Sequence, residues 1–109
     1  LNKNKIKMIN LNQITENIDD TCDTIMEFSS GKELYVSIDV SVVDPAFAPA
    51  ATHSEIGGLT SRQLVYLISR INKIRNLKAV DLVEINSEKD KQHNMLTTKL
   101  GAKILSEFL

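Results

Sequence analysis

Apolar residues along the chain follow two periodicities, one typical of strands and one typical of helices. The two-residue alternation and short apolar runs of β-strands occur at 6–11, 33–40 and 78–85. Each of these segments is followed by apolar residues at helical spacing, at 12–29, from Thr60 onward, and from about Met95 to the end. Strands that alternate with helices indicate parallel βαβ units, so we expect an α/β fold with a parallel sheet.

Local signals mark where two of these helices end or begin. Ser29, Ser30 and Gly31 supply turn formers and a glycine, which predict the end of the first helix. Thr60 and Gln63 have the spacing of a capping box, in which each side chain accepts a hydrogen bond from the other residue's backbone amide. The second helix is therefore predicted to begin directly after Thr60.

Two acidic residues, Asp39 and Glu84, stand near the carboxyl ends of otherwise apolar strands. Ligands of open α/β sheets bind beyond those ends, so carboxylates from adjacent strands are expected to meet there. Two such carboxylates are unfavourable together unless a metal ion or a cationic ligand offsets their charge. The alternative is that each acid caps a loop amide or pairs with an arginine at the sheet edge. Asp81 has the opposite parity and is expected to pair with a helix or loop group on the other face.

A long segment without a regular pattern, 43–59, follows the second strand and contains both prolines and the pair Gly57 and Gly58. Loops of this length are uncommon in compact domains unless they serve a site. Asp44 precedes a proline, which predicts a turn in which its carboxylate binds nearby amides. His53 is expected to be an exposed loop histidine, with a role as ligand or proton shuttle as the alternative.

Composition and charge narrow the class of protein. The 109 residues suffice for one domain, and 42% hydrophobic with 25% charged residues is ordinary for a globular protein. A net charge of −1 makes nucleic acid an unexpected partner, and no apolar run is long enough to span a bilayer. No signal peptide is recognisable, so a cytoplasmic location is expected. The single cysteine, Cys22, lies on an apolar helical stripe and is expected to be a small buried residue.

The segments 37–49 (SIDVSVVDPAFAP) and 55–59 (EIGGL) closely resemble the signature of the ureohydrolase family, which includes arginase, agmatinase and formiminoglutamase. In that family the strand ends in Asp-x-Asp, followed by an Asp-Pro turn, a second proline and a Gly-Gly pair before a helix. Segment 80–86 (VDLVEIN) resembles the family's last strand, and Thr97 and Thr98 fit the start of its last helix. A resemblance of this extent is more specific than a short motif. It implies a three-layer α/β/α fold, with 1–109 as the carboxyl-terminal part of one domain and its last three βα units.

The resemblance also implies an activity, namely hydrolysis of a carbon–nitrogen bond in a guanidino or amidine compound such as agmatine or arginine. Family members use a pair of manganese ions that lower the pKa of a bridging water, so that hydroxide forms near neutral pH. Carried over by position, Asp39 would be a metal ligand and Glu84 would bind the substrate guanidinium. Glu55 and His53 would line the substrate pocket. The implied partners are a small guanidino substrate and further copies of the chain.

Two departures from the family pattern change these expectations. Ser41 stands where the family has its second metal-binding aspartate, so metal affinity is expected to fall. The family's upstream Asp-x-His-x-Asp motif does not occur in this sequence. We therefore expect the chain alone to be inactive, or, as the alternative, to be a non-catalytic relative that serves binding or assembly. Three strands with unpaired edges are also expected to make it marginally stable or self-associating.

Overall fold

The computed structural model describes residues 6–109, which contain two parallel strands and five α-helices. Strand β1 spans Leu34–Asp39 and strand β2 spans Leu77–Val83. The helices are α1 (Leu11–Glu16), α2 (Ile18–Ser29), α3 (Ser61–Ile71), α4 (Ser87–Asp90) and α5 (Leu96–Ser106). Short 3-10 turns follow β1 at Val40–Val42 and α4 at Lys91–His93. The expected α/β class with a parallel sheet is confirmed.

The helices pack against one face of the sheet. In the parallel register Val36 lies opposite Val80 and Ile38 lies opposite Leu82, and these side chains contact the core from that face. The core combines them with residues of the 3-10 turn, the long loop, α3, the segment after α3 and α5, all at most 9% exposed: Val40, Val43, Ala48, Ala51, Leu59, Leu64, Ile68, Ile71, Ile74, Leu100 and Ile104. Tyr35, on the other face, is 59% exposed. The described residues therefore form two layers, with one sheet face open.

The first predicted strand, 6–11, is wrong. Residues 6–10 form no regular element, and α1 begins at Leu11. The Asn10 side chain accepts from the Gln13 amide at 2.9 Å, and the Gln13 side chain accepts from the Asn10 amide at 2.8 Å. This reciprocal pair is a capping box, and it fixes a helix start where the apolar alternation indicated a strand.

The predicted helix 12–29 is divided in two. Asn17 leaves helical geometry with φ of −154°, and its side chain accepts from the Asp20 amide at 3.1 Å, so α2 begins anew. Asparagine favours such caps because its side chain competes with helical hydrogen bonding. Of the predicted apolar stripe, Cys22 is buried with 3% exposure and Ile14, Ile18 and Ile25 are half-buried. Met26 was predicted to belong to this stripe but is 43% exposed.

Both predicted helix boundaries are confirmed. Thr60 and Gln63 form the reciprocal capping box at the start of α3, with bonds of 3.1 and 2.9 Å. After α2, Gly31 adopts a left-handed φ of 75°. No helix within residues 6–109 has both the length and the apolar character needed to cross a membrane.

Each strand has one strand neighbour among the described residues, so each also has an edge without a strand partner. Such edges can pair with another chain. Self-association through them stays a prediction.

Candidate functional site

Asp39 ends β1 and caps the 3-10 turn that follows. Its Oδ1 accepts hydrogen bonds from the Ser41 amide at 2.9 Å and from the Ser41 hydroxyl at 2.5 Å. The sequence left open whether this acid binds a cation or caps a loop amide. The structure shows the cap, and the Ser41 hydroxyl also donates a hydrogen bond to the carboxylate.

Glu84 follows β2 directly and lies at the same edge of the sheet. Asp39 is in register with Val83, so the two acids stand one residue apart along parallel strands. The Glu84 backbone has a left-handed φ of 76°, a conformation that costs a non-glycine residue about 1–3 kcal/mol. Its carbonyl oxygen accepts from the Thr52 amide at 2.8 Å and from the Thr52 hydroxyl at 3.2 Å. The loop therefore holds this residue in its strained conformation.

The long loop is closed at its base by a crossing of two backbone segments. The Asp44 amide donates to the Leu59 carbonyl at 2.8 Å, and the Leu59 amide donates to the Val42 carbonyl at 2.9 Å. A Cβ atom on Gly58 would lie 2.7 Å from the Val42 oxygen. Only glycine permits this approach, whereas Gly57 uses a left-handed φ of 93°.

Asp44 has the turn role expected from the sequence. Its carboxylate accepts from the Ala46 amide at 2.9 Å and from the Gly57 amide at 2.8 Å. These amides, that of Ala46 foremost, lower the pKa of the Asp44 carboxyl below its usual range. The charged form of Asp44 thus connects the start of the loop to its end.

A second contact joins the middle of the loop to the end of β2. Ala51 and Ile85 form an antiparallel bridge, and the Asn86 amide donates to the Ala50 carbonyl at 2.8 Å. This bridge fixes the loop immediately before His53.

Three of the expected site residues come together in one pocket. Ser41, His53 and Glu55 line a pocket of about 370 Å³, together with Leu11, Val42, Ile56, Gly57 and Gly58. His53 is exposed, as expected. Asp39 and Glu84 are not among the lining residues. Asp39 is bonded to Ser41, which lines the pocket, whereas Glu84 is bonded to Thr52, which precedes the lining residue His53 in the chain. Among the residues that line the pocket, Glu55 carries the one carboxylate and His53 the one imidazole.

A two-manganese centre does not fit the described residues. Residues 6–109 contain no group of three or more histidine, cysteine, aspartate or glutamate side chains placed to hold a metal ion. Asp39 and Ser41 offer one carboxylate and one neutral hydroxyl, whereas Mn²⁺ favours about six donors. The hydroxyl is moreover bonded to that carboxylate. Metal binding by Asp39 and Ser41 stays a prediction.

Asp81 lies on the face away from the helices, as expected. The predicted partner, a helix or loop group, is wrong. Its carboxylate accepts from the Ser37 hydroxyl at 2.6 Å and from the Tyr35 hydroxyl. Both partners belong to β1, which is next to Asp81 in the sheet. These bonds, that from Ser37 first, lower the pKa of Asp81.

Sequence reasoning missed a buried polar pair behind the loop. Asp90 and Thr97 have no exposed area, and Asp90 accepts from the Thr97 amide at 3.1 Å and from the Thr98 amide at 2.7 Å. Burial alone would raise the pKa of the Asp90 carboxyl, but the bonds from Thr98 and Thr97 outweigh burial and lower it. The sequence did contain one signal for this pair, because Asp90 stands seven residues before Thr97, near the predicted start of the last helix.

Comparisons with known proteins point to one family. The model of the arginase family matches residues 1–109. The agmatinase of Bacillus subtilis is 37% identical over 81 residues, which are 73% of this chain and 27% of that protein. The proclavaminate amidinohydrolase of Streptomyces clavuligerus is 33% identical over 90 residues, which are 81% of this chain and 28% of that protein.

Solved structures agree. The Streptomyces clavuligerus amidinohydrolase superposes with a TM-score of 0.86 at 30% identity, covering 94% of this chain and 34% of that one. The formimidoylglutamase of Bacillus subtilis superposes with a TM-score of 0.85, covering 98% of this chain and 34% of that one, and at 21% identity it shows the fold alone. The sequence alignments cover 27% and 28% of the two curated relatives and the superpositions cover 34%, so the chain spans about a third of their length.

Proposed function

This chain belongs to the arginase family, and from that premise we propose that it is part of a hydrolase of a guanidino or amidine carbon–nitrogen bond. The proposed substrate is a small compound of the agmatine or arginine type. Urea would be the product when the substrate carries a terminal guanidino group.

The shared pocket of three site residues, with Glu84 bonded to the adjoining loop, supports this proposal. Ser41, His53 and Glu55 line one pocket, and Thr52, next to His53, bonds to the backbone of Glu84. Carboxylates near such a pocket favour a planar cation, because a guanidinium donates two parallel charge-assisted hydrogen bonds to a carboxylate. In this proposal Glu84 binds the guanidinium, and Glu55 and His53 contact the rest of the substrate.

We propose further that the chain alone is inactive. A pair of manganese ions would supply hydroxide for the hydrolysis, but Asp39 and Ser41 provide too few donors for even one such ion. The remaining donors would come from outside the described residues. The coverage of 27% and 28% of the curated relatives supports this, since most of their length has no counterpart here.

Substrate binding can be measured without catalysis. We expect agmatine, titrated into the chain and followed by NMR, to shift signals of Thr52, His53 and Glu55. Glu84→Gln should weaken this binding about tenfold or more, because it removes the charge of the proposed guanidinium partner. Glu88→Gln is the matched control, since Glu88 is exposed and pairs with Lys91 at 2.8 Å. Equal affinities of the two variants would contradict the proposed substrate site.

A second candidate, a non-catalytic relative, is favoured by one observation: the Ser41 hydroxyl donates to Asp39 instead of supplying a second carboxylate. Calorimetry with Mn²⁺ separates the two. Binding gained only by Ser41→Asp would support the degraded site. Equally weak binding by both chains would support the enzyme, whose remaining donors lie outside the described residues. Ser106→Asp adds the same charge at an exposed position at the end of α5 and serves as the control.

A further inference from the structure

The loop that carries His53 and Glu55 is held from behind by a buried hydroxyl. Thr97 has no exposed area, and its Oγ1 accepts a hydrogen bond from the Ala50 amide at 2.9 Å. Ala50 is also fully buried, so its amide has no access to water. A buried amide that loses its partner is costly, and this bond therefore fixes the loop to the start of α5.

Asp90 holds Thr97 from the opposite side. Its fully buried carboxylate accepts from the Thr97 amide at 3.1 Å, from the Thr98 amide at 2.7 Å and from the Thr98 hydroxyl at 2.6 Å. Two left-handed residues, Asn94 and Met95, turn the chain so that α5 begins at this carboxylate. Hydrogen bonds to an ionised acceptor are about twice as strong as neutral ones, so Thr97 has little freedom to move.

The loop segment that Thr97 holds is the one that contacts Glu84. The Ala50 carbonyl accepts from the Asn86 amide at 2.8 Å, and the Thr52 amide donates to the Glu84 carbonyl at 2.8 Å. His53 follows Thr52 directly. The bond at Ala50 therefore fixes both the position of His53 and the support of the strained Glu84 backbone.

We infer that Thr97, anchored by Asp90, is a positioning residue that sets the loop of His53 and Glu55 relative to Glu84. Thr97 is not among the residues that line the pocket, so it acts through Ala50. The inference rests on the proposed function, since this alignment matters for a reaction when those residues bind the substrate.

Two threonine-to-valine changes test the inference, because valine has nearly the shape of threonine but lacks its hydroxyl. Thr97→Val removes the acceptor for the Ala50 amide, whereas Thr98→Val removes a hydroxyl bonded to Asp90. Thr97→Ser keeps the acceptor. Amide hydrogen exchange followed by NMR reports on Ala50 and Thr52, and an agmatine titration reports on the pocket.

Thr97→Val should speed exchange at Ala50 and Thr52 roughly tenfold or more relative to the α3 amides, because a buried donor loses its partner. Agmatine affinity should fall several-fold with it. In Thr97→Ser and Thr98→Val, both quantities should stay within about twofold of the unmodified chain. A general loss of stability would not produce this split, since it would affect α3 equally.

If Thr97→Val and Thr98→Val change amide exchange and agmatine affinity equally, the inference is overturned. The Thr97 hydroxyl would then act only by stabilising the start of α5. Should Thr97→Val fail to fold, the unmodified chain decides: its Ala50 amide should exchange as slowly as the core amides of α3, and faster exchange would overturn the inference. If the unmodified chain binds no agmatine while the exchange pattern is as expected, the proposed function fails and the positioning of the loop stands.

Discussion

Replacing Gly58 with alanine is expected to destabilise the chain strongly, because the new Cβ atom would meet backbone on every near side. It would lie 2.7 Å from the Val42 oxygen, 2.8 Å from the Asp44 nitrogen and 3.0 Å from the Val43 carbonyl carbon. Ordinary carbon–oxygen contacts begin near 3.3 Å, so the two segments must separate by roughly half an ångström. That movement strains both hydrogen bonds of the crossing at Leu59.

The cost follows from what the separation disturbs. Two backbone hydrogen bonds contribute about 1 kcal/mol each. Val43 and Leu59, at most 1% exposed, would lose close packing across the crossing, which adds about 1 kcal/mol. The expected loss is therefore about 3 kcal/mol, a large share of the 5–15 kcal/mol typical of a domain.

Gly101→Ala is the matched control. Its Cβ atom would lie 2.9 Å from Ile85 Cδ1 and 2.9 Å from Leu82 Cδ2, which are ends of flexible side chains. Their displacement is offset by the gain of about 1 kcal/mol in helix propensity, so the net change should be within about 1 kcal/mol. Urea unfolding followed by circular dichroism measures both free energies. If Gly58→Ala is no more destabilising than Gly101→Ala, the crossing is not rigid and the reasoning fails.

Three further predictions follow from polar groups elsewhere. The pKa of Asp90 is lowered in the folded chain, so its contribution is present above the unfolded pKa and is lost as pH falls through the folded one. Urea unfolding from neutral to acidic pH should show this loss, and Asp90→Asn should flatten that dependence. Burial raises the pKa of the Cys22 thiol, so a thiol reagent should react slowly until denaturant is added, and fast native-state labelling would contradict this. Arg70 joins α3 to Asp19 and Asp23 of α2 at 2.9 and 2.8 Å. Because both carboxylates are exposed, the destabilisation by Arg70→Gln should shrink in high salt, and an unchanged difference in unfolding free energy would refute it.

Features that depend on neighbouring residues could be predicted from the sequence. Alternation located both observed strands, and the spacing of Thr60 and Gln63 located the start of α3. Parallel strands place their carboxyl ends at one edge, so the common edge of Asp39 and Glu84 was also predictable. In each case one short-range rule determined the outcome.

Features that depend on competition or on distant segments could not be predicted in this way. The alternation at 6–11 was overridden by the cap at Asn10, and a helical stripe gives no sign of the break at Asn17. The burial of Asp90 depends on a left-handed turn of residues that are not glycine. Its bonded partner Thr97 then contacts a loop 47 residues away, at Ala50.

Two backbone bridges, Val43 with Leu59 and Ala51 with Ile85, hold the long loop and separate its buried base from an exposed tip. Ile56, in that tip, is 94% exposed and contributes little to folding. Mutations between the second bridge and Gly57 can thus accumulate at low cost in stability. Under the proposed function, a library randomised over 53–56 would change substrate selectivity while the scaffold is retained.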